Sequence, residues 1–107
     1  MDNAAIEEMF AAVGPVTIKR MFGGKGIYAR GAIIAIQYQD EIVLKADAQT
    51  APRFVEAGCR QWTYESKKGK AAAMPYWSIP DNAHDDPDLM ADWVRLALEA
   101  GIRAAGT

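Results

Sequence analysis

The sequence predicts an α+β fold, a two-layer sandwich in which helices cover one face of an antiparallel sheet. Three observations predict it. Apolar residues recur at helical spacing near both ends of the chain and once briefly in the middle. Between those stretches the period falls to two, the signature of strands. The turns that separate the strands are too short for crossovers, so neighbouring strands run antiparallel.

The first helix spans residues 3–13. Ile6, Met9, Phe10 and Val13 form one apolar face, and Asp2 or Asn3 caps the start. Gly14-Pro15 ends it, because Pro cannot continue a helix. Val16 to Phe22 then reads as a strand, and Gly23-Gly24-Lys25-Gly26 as the break after it. Ile27 to Ala29, Ala32 to Tyr38 and Glu41 to Lys45 follow as strands, turned at Arg30-Gly31 and Gln39-Asp40. In the last of these, Glu41, Val43 and Lys45 alternate with Ile42 and Leu44, so its two faces are expected to be unequally buried.

Asp47 to Ala57 is a short helix with Thr50 as cap, Pro52 in its first turn and Gly58 as its stop. Arg60 to Glu65 alternates as a strand, residues 66–70 form a polar hairpin tip, and Ala71 to Ile79 returns. Pro75 has no N–H to give a ladder, which predicts that this returning strand lies on an edge. A loop leads to Asp86-Pro87, which opens the last helix. There Asp88, Asp92, Arg95, Glu99 and Arg103 make a polar stripe opposite a wide apolar arc. The order is helix, four-strand meander, helix, two-strand hairpin, helix.

A chain of 107 residues fits one domain, and 50% hydrophobic with 24% charged residues separates it from disordered chains. The single Cys59 excludes an internal disulfide and suits a reducing compartment. No run approaches the ~20 apolar residues of a membrane span, and the acidic start Met1-Asp2-Asn3 opens no signal-peptide pattern. The expected location is cytoplasmic. The net charge of −2 hides a basic centre: residues 16–79 carry +5, residues 1–15 carry −3 and residues 80–107 carry −4.

Several blocks resemble the N-terminal domain of the TfoX (Sxy) family of competence regulators. They are Arg20-Met21-Phe22-Gly23-Gly24 with Gly26-Ile27-Tyr28, and Leu44-Lys45-Ala46-Asp47. Phe54, Gly58, the Trp62–Tyr64 strand and Met74-Pro75-Tyr76-Trp77 followed by Pro80 come next, then Trp93 and Ala97. The resemblance implies a YgaC/TfoX-N-like α+β fold and reads the chain as a stand-alone copy of that domain. It also implies a role in regulating DNA competence and transcription, with the cyclic-AMP receptor protein as a protein partner.

The residues themselves assemble no catalytic set, so the expectation is a protein that is not an enzyme and needs no cofactor. Gly23-Gly24-Lys25-Gly26 offers backbone N–H groups to an anion, but a strand follows where a phosphate loop requires a helix, and a plain turn is favoured. Lys19, Arg20, Lys25, Lys67, Lys68 and Lys70, with Tyr76 and Trp77, form the candidate interaction surface, for a protein or for nucleic acid. A sequence pI near 5.3 weighs against nucleic acid. His84 and Cys59 are each the sole residue of their kind, so no zinc set exists; His84 reads as part of a polar loop and Cys59 as a small buried hydrophobe. A small-molecule pocket between sheet and helices, lined by Tyr28, Tyr76 and Trp77, is a third reading. On the last helix, Trp93, Val94, Leu98 and Ile102 are either core or a contact for a partner chain, a homodimer among the possibilities.

Overall fold

A computed structural model describes residues 1–21 and 23–106. Phe22, the expected last residue of the first strand and part of the family-like block, lies outside the described residues, as does Thr107. The elements are α1 (Asn3–Met9), β1 (Thr17–Met21), β2 (Gly24–Ala29), β3 (Ala32–Tyr38), β4 (Glu41–Lys45), α2 (Ala51–Glu56), β5 (Gln61–Glu65), β6 (Ala71–Ser78) and α3 (Pro87–Ala105). The strands form one antiparallel sheet in the order β1-β2-β3-β4-β6-β5. The α+β class and the order of elements agree with the sequence reading.

The differences are local and have physical causes. The first helix stops at Met9, and Ala11–Val13 tightens into a 3₁₀ turn that carries Val13 into the core. Asp2 is the cap, its carboxylate accepting from the Ala5 N–H at 2.9 Å. Gly24, Lys25 and Gly26 do not break the sheet; they are the first half of β2. Close approach of backbone requires glycine at Gly24, and side chains crowd Gly26. A Cβ on Gly24 would overlap the Gln37 carbonyl, and one on Gly26 would sit 2.5 Å from the Met21 sulfur. The turn itself falls at Gly23, at φ +76°.

Arg30-Gly31 and Gln39-Asp40 turn as expected. All four residues have positive φ (52°, 78°, 50° and 64°), as a two-residue turn between right-twisted antiparallel strands demands. Thr50 does not cap α2 with its side chain. Its hydroxyl instead accepts from the Asp47 N–H, while the Asp47 carboxylate accepts from the Gln49 and Thr50 N–H groups.

Pro75 does not mark an edge. β6 pairs with β4 on one side and β5 on the other, and the edges are β1 and β5. The proline is tolerated because its carbonyl, and with it the side its N–H would take, faces β4 just past the last β4–β6 pair, Lys45–Tyr76. On the β5 side the register slips beside it. Thr63 faces Ala73 but Gln61 faces Trp77, so β6 carries extra residues opposite Trp62. Ala46 N–H, continuing from β4, donates to the Pro75 carbonyl at 2.9 Å, and on the slipped side the Gln61 side-chain amide donates to the Met74 carbonyl at 3.0 Å.

α3 lies across β3 and β4. Its buried side includes Met90, Val94, Ala97 and Leu98, packed with Ile6, Phe10, Ile34 and Leu44. Val94 and Leu98 therefore belong to the core and are not available to a partner chain; Trp93 is half-buried, and Ile102 stays 42% exposed. A second bulge assists this packing. Ile27 pairs with Ala35 but Tyr28 with Ile33, so Ile34 and Ala35 both join the helix-side core. Gly101 then comes so near that an added Cβ would lie 2.7 Å from the Ile33 carbonyl oxygen.

The opposite face of the sheet carries a second, smaller cluster of Ile36, Val43 and Tyr76, with Met21, Ile33, Tyr38, Trp62 and Met74 against it. Ile42, Val43 and Leu44 are all buried, so β4 is covered on both faces, against expectation. The cover on the second face comes from the β5–β6 hairpin. Tyr38 and Trp62 belong to strands three places apart in the sheet, about 14 Å at ordinary strand spacing. Their rings nevertheless approach to 5.6 Å. The hairpin leans over the open face, bent where the register slips at Trp62.

Candidate functional site

The expected basic surface is divided. Lys19 stands on the open face of β1, its ammonium 5.1 Å from the Tyr28 ring centre. Arg20, the next residue along the strand, points to the other face. Lys25 is engaged with the N-terminal segment, donating to the Asn3 side-chain oxygen at 2.7 Å and to the Met1 carbonyl. Lys67, Lys68 and Lys70 are exposed on the β5–β6 turn, which is closed by Ser66–Lys70 and Gly69–Ser66 backbone bonds. β1 and β5 are opposite edges of the sheet, so strand pairing does not bring these groups together.

Tyr76 and Trp77 are adjacent in sequence and therefore face opposite sides. Tyr76 is only 4% exposed, beneath the Lys45 ammonium at 4.9 Å from its ring centre. Burial, and secondarily Tyr28, push its hydroxyl up to about 12. Burial also pulls the Lys45 ammonium below its ordinary range, with Asp47 opposing. Trp77 stacks on Phe54 at 6.3 Å on the helix side. The pocket imagined between Tyr28, Tyr76 and Trp77 is thus split by the sheet itself.

Half-buried aromatic edges do gather on the open face. Trp62 meets Tyr64 at 5.7 Å and Tyr76 at 6.1 Å, both edge-on, and Tyr64 meets Tyr38 at 5.9 Å. Such edge-to-face packing adds roughly 0.5–1.5 kcal/mol per pair beyond area burial. It also leaves a continuous strip of ring edges and Met21 and Met74 side chains, with Lys19 beside Tyr28 at one end.

A groove of about 740 Å³ opens at the other side of the sheet's end. Its apolar walls are Met9, Ile42, Ile79, Leu89 and Trp93. Its polar groups are Arg60, Ser78, Cys59, Asp81, Asn82 and His84, with Asp40 and Glu41 at the rim. Spacing in the sequence separates Cys59 from His84 by a whole hairpin, and nothing there signals that they share a cleft. The hairpin joins them. Counted back from the Glu65–Ala71 pair, Ser78 would face Gly58; the slip at Trp62 moves it to Arg60, whose N–H donates to the Ser78 hydroxyl at 2.9 Å.

Burial pushes the Cys59 thiol up; a Ser78 hydrogen bond opposes this, Asp81 adds to it and Arg60 opposes it. A thiol held protonated attacks poorly. Among the described residues no group of three His, Cys, Asp or Glu side chains is placed to hold a metal, and no helix is long and apolar enough to cross a membrane.

The fold and these surfaces define a small two-layer α+β module with an aromatic open sheet face and a mixed groove. The chain belongs to the TfoX N-terminal domain family, whose model matches residues 8–101. That span runs from α1 into the last turns of α3 and holds every strand of the sheet. No curated protein matches the chain.

Proposed function

We propose that this protein is a non-enzymatic interaction module in the regulation of DNA competence and transcription, working in the cytoplasm through a protein partner of the cyclic-AMP receptor class. Membership of the TfoX N-terminal domain family carries the reading. The open sheet face supports its interaction half. Tyr38, Trp62, Tyr64 and Met74 present half-buried apolar edges there, in the residue types that anchor protein interfaces.

The test is a chemical-shift titration of labelled protein with the cyclic-AMP receptor protein, with and without the nucleotide. Shifts on β3, β5 and β6 are expected, and Trp62→Ala is expected to weaken the complex by about tenfold or more, as loss of an anchoring aromatic does. Absence of any shift would remove this partner. A parallel titration with a short DNA duplex at low and near-physiological salt addresses the nucleic-acid alternative. Shifts at Lys67, Lys68 and Lys70 that fade with salt would favour a phosphate-reading surface.

A further inference from the structure

We propose that the groove beside Cys59 is a binding site for a small organic cation with an apolar body, held by its ammonium group on Asp81. The site is independent of the open sheet face, because it opens among α1, α3, the Ala57–Arg60 connection and the segment following β6.

Size comes first. A volume of about 740 Å³ lies in the range that accommodates small ligands. The walls are largely apolar, with Trp93 and Leu89 from the first turns of α3 facing Ile42 and Ile79 from the sheet end. An apolar body gains by leaving water against such walls.

Charge then selects the polar end. The groove's one arginine is already engaged, Arg60 donating to Glu41 at 2.7 Å. The Asp40 carboxylate lies 4.0 Å from the N-terminal ammonium. The Asp81 carboxylate has neither a hydrogen-bond nor an ion-pair partner among the described residues, yet it stands close enough to Cys59 to disfavour the thiolate. The free charge in the groove is therefore negative. Asn82 and His84, on the same short segment, add polar groups on Asp81's side. Three carboxylates, Asp40, Glu41 and Asp81, line the groove against Arg60 and the N-terminal ammonium, so an anion meets net negative charge whereas a cation meets an unpaired carboxylate.

Three probes of one shape decide it: phenethylamine, 2-phenylethanol and 3-phenylpropionate, each titrated at pH 7 into the labelled protein. The amine is expected to shift the Trp93 indole N–H and the amides of Cys59, Asp81 and His84, more tightly than the alcohol, with the carboxylate weakest. Asp81→Asn should retain the fold, since this exposed carboxylate supports no described bond, and should weaken the amine about fivefold, the scale of one solvent-accessible ion pair. Equal binding of amine and alcohol, preference for the carboxylate, no effect of Asp81→Asn, or no binding at millimolar probe would each overturn the proposal. None of these outcomes bears on the regulatory reading, whose shifts map to β3, β5 and β6.

Discussion

Arg103, near the end of α3, closes on Asp47, just after β4, with two hydrogen bonds: Nε to Oδ2 at 2.6 Å and a terminal nitrogen to Oδ1 at 3.1 Å. Residues 56 positions apart are thereby joined in a planar, two-point pair of the kind arginine favours. The same carboxylate organises the turn into α2 through the Gln49 and Thr50 N–H groups. One side chain thus ties the last helix and the short middle helix to the sheet.

That pair makes acid stability specific. The Arg103 hydrogen bond, with its charge and the two N–H groups, holds the Asp47 carboxyl below the ordinary carboxylate range, against a smaller cost of burial. A carboxyl depressed by folding contributes stability that is fully present above the unfolded value of about 4. The contribution is lost as pH falls through the folded value. Arg103→Met should lower the melting temperature at pH 7 and flatten the loss of stability below about pH 4. Calorimetry of both proteins across that range checks the sign.

Gly101→Ala is expected to destabilise, although alanine is the better helix former by about 1 kcal/mol. The new methyl would meet the Ile33 carbonyl at 2.7 Å and the Ile34 side chain at 2.9 Å, and the backbone cannot yield as a side-chain end does. Overpacking of this kind costs roughly 1–3 kcal/mol. Urea denaturation should show a lower midpoint, and a rise would mean that α3 sits farther from β3 than described.

Phe54→Ala should be among the most damaging substitutions. Phe54 is fully buried, stacked on Trp77 and 4.8 Å from the Trp93 ring. Removing it costs roughly 3–5 kcal/mol by the behaviour of buried aromatics. Tryptophan fluorescence should change even where the variant stays folded, because two of its ring neighbours are indoles.

Arg30→Asn should stabilise. Arg30 is an exposed, non-glycine residue at φ +52° followed by glycine, and asparagine suits that conformation better. A gain of roughly 0.5 kcal/mol is expected, read as a higher urea midpoint with unchanged slope.

Much of the fold was legible in the chain. The change of period located the strands, Asp86-Pro87 opened α3, and Arg30-Gly31 and Gln39-Asp40 marked tight turns, since each rests on local conformational preference. Legibility failed where a distant neighbour set the outcome. Gly24 and Gly26 look like turn residues but serve β2, because Gln37 and Met21 occupy the space a side chain would need. Pro75 looks like an edge signal, but its N–H would face β4 just past the end of the β4–β6 ladder, where no donor is called for. Of the candidate surface, Lys67, Lys68 and Lys70 are exposed as a polar turn should be, whereas burial of Tyr76 depended on the hairpin bending back over the sheet.

The linear chain decided the class, the order of elements and the family, because hydrophobic period, caps, turn residues and the Met-Pro-Tyr-Trp block are written locally. Tertiary structure alone decided which faces are covered and which polar groups meet. The slip at Trp62 turns the hairpin onto the second sheet face, and the return of β6 brings Asp81 and His84 beside Cys59. Such relations depend on register and close packing between segments far apart in sequence, and a residue's local preference carries no record of them.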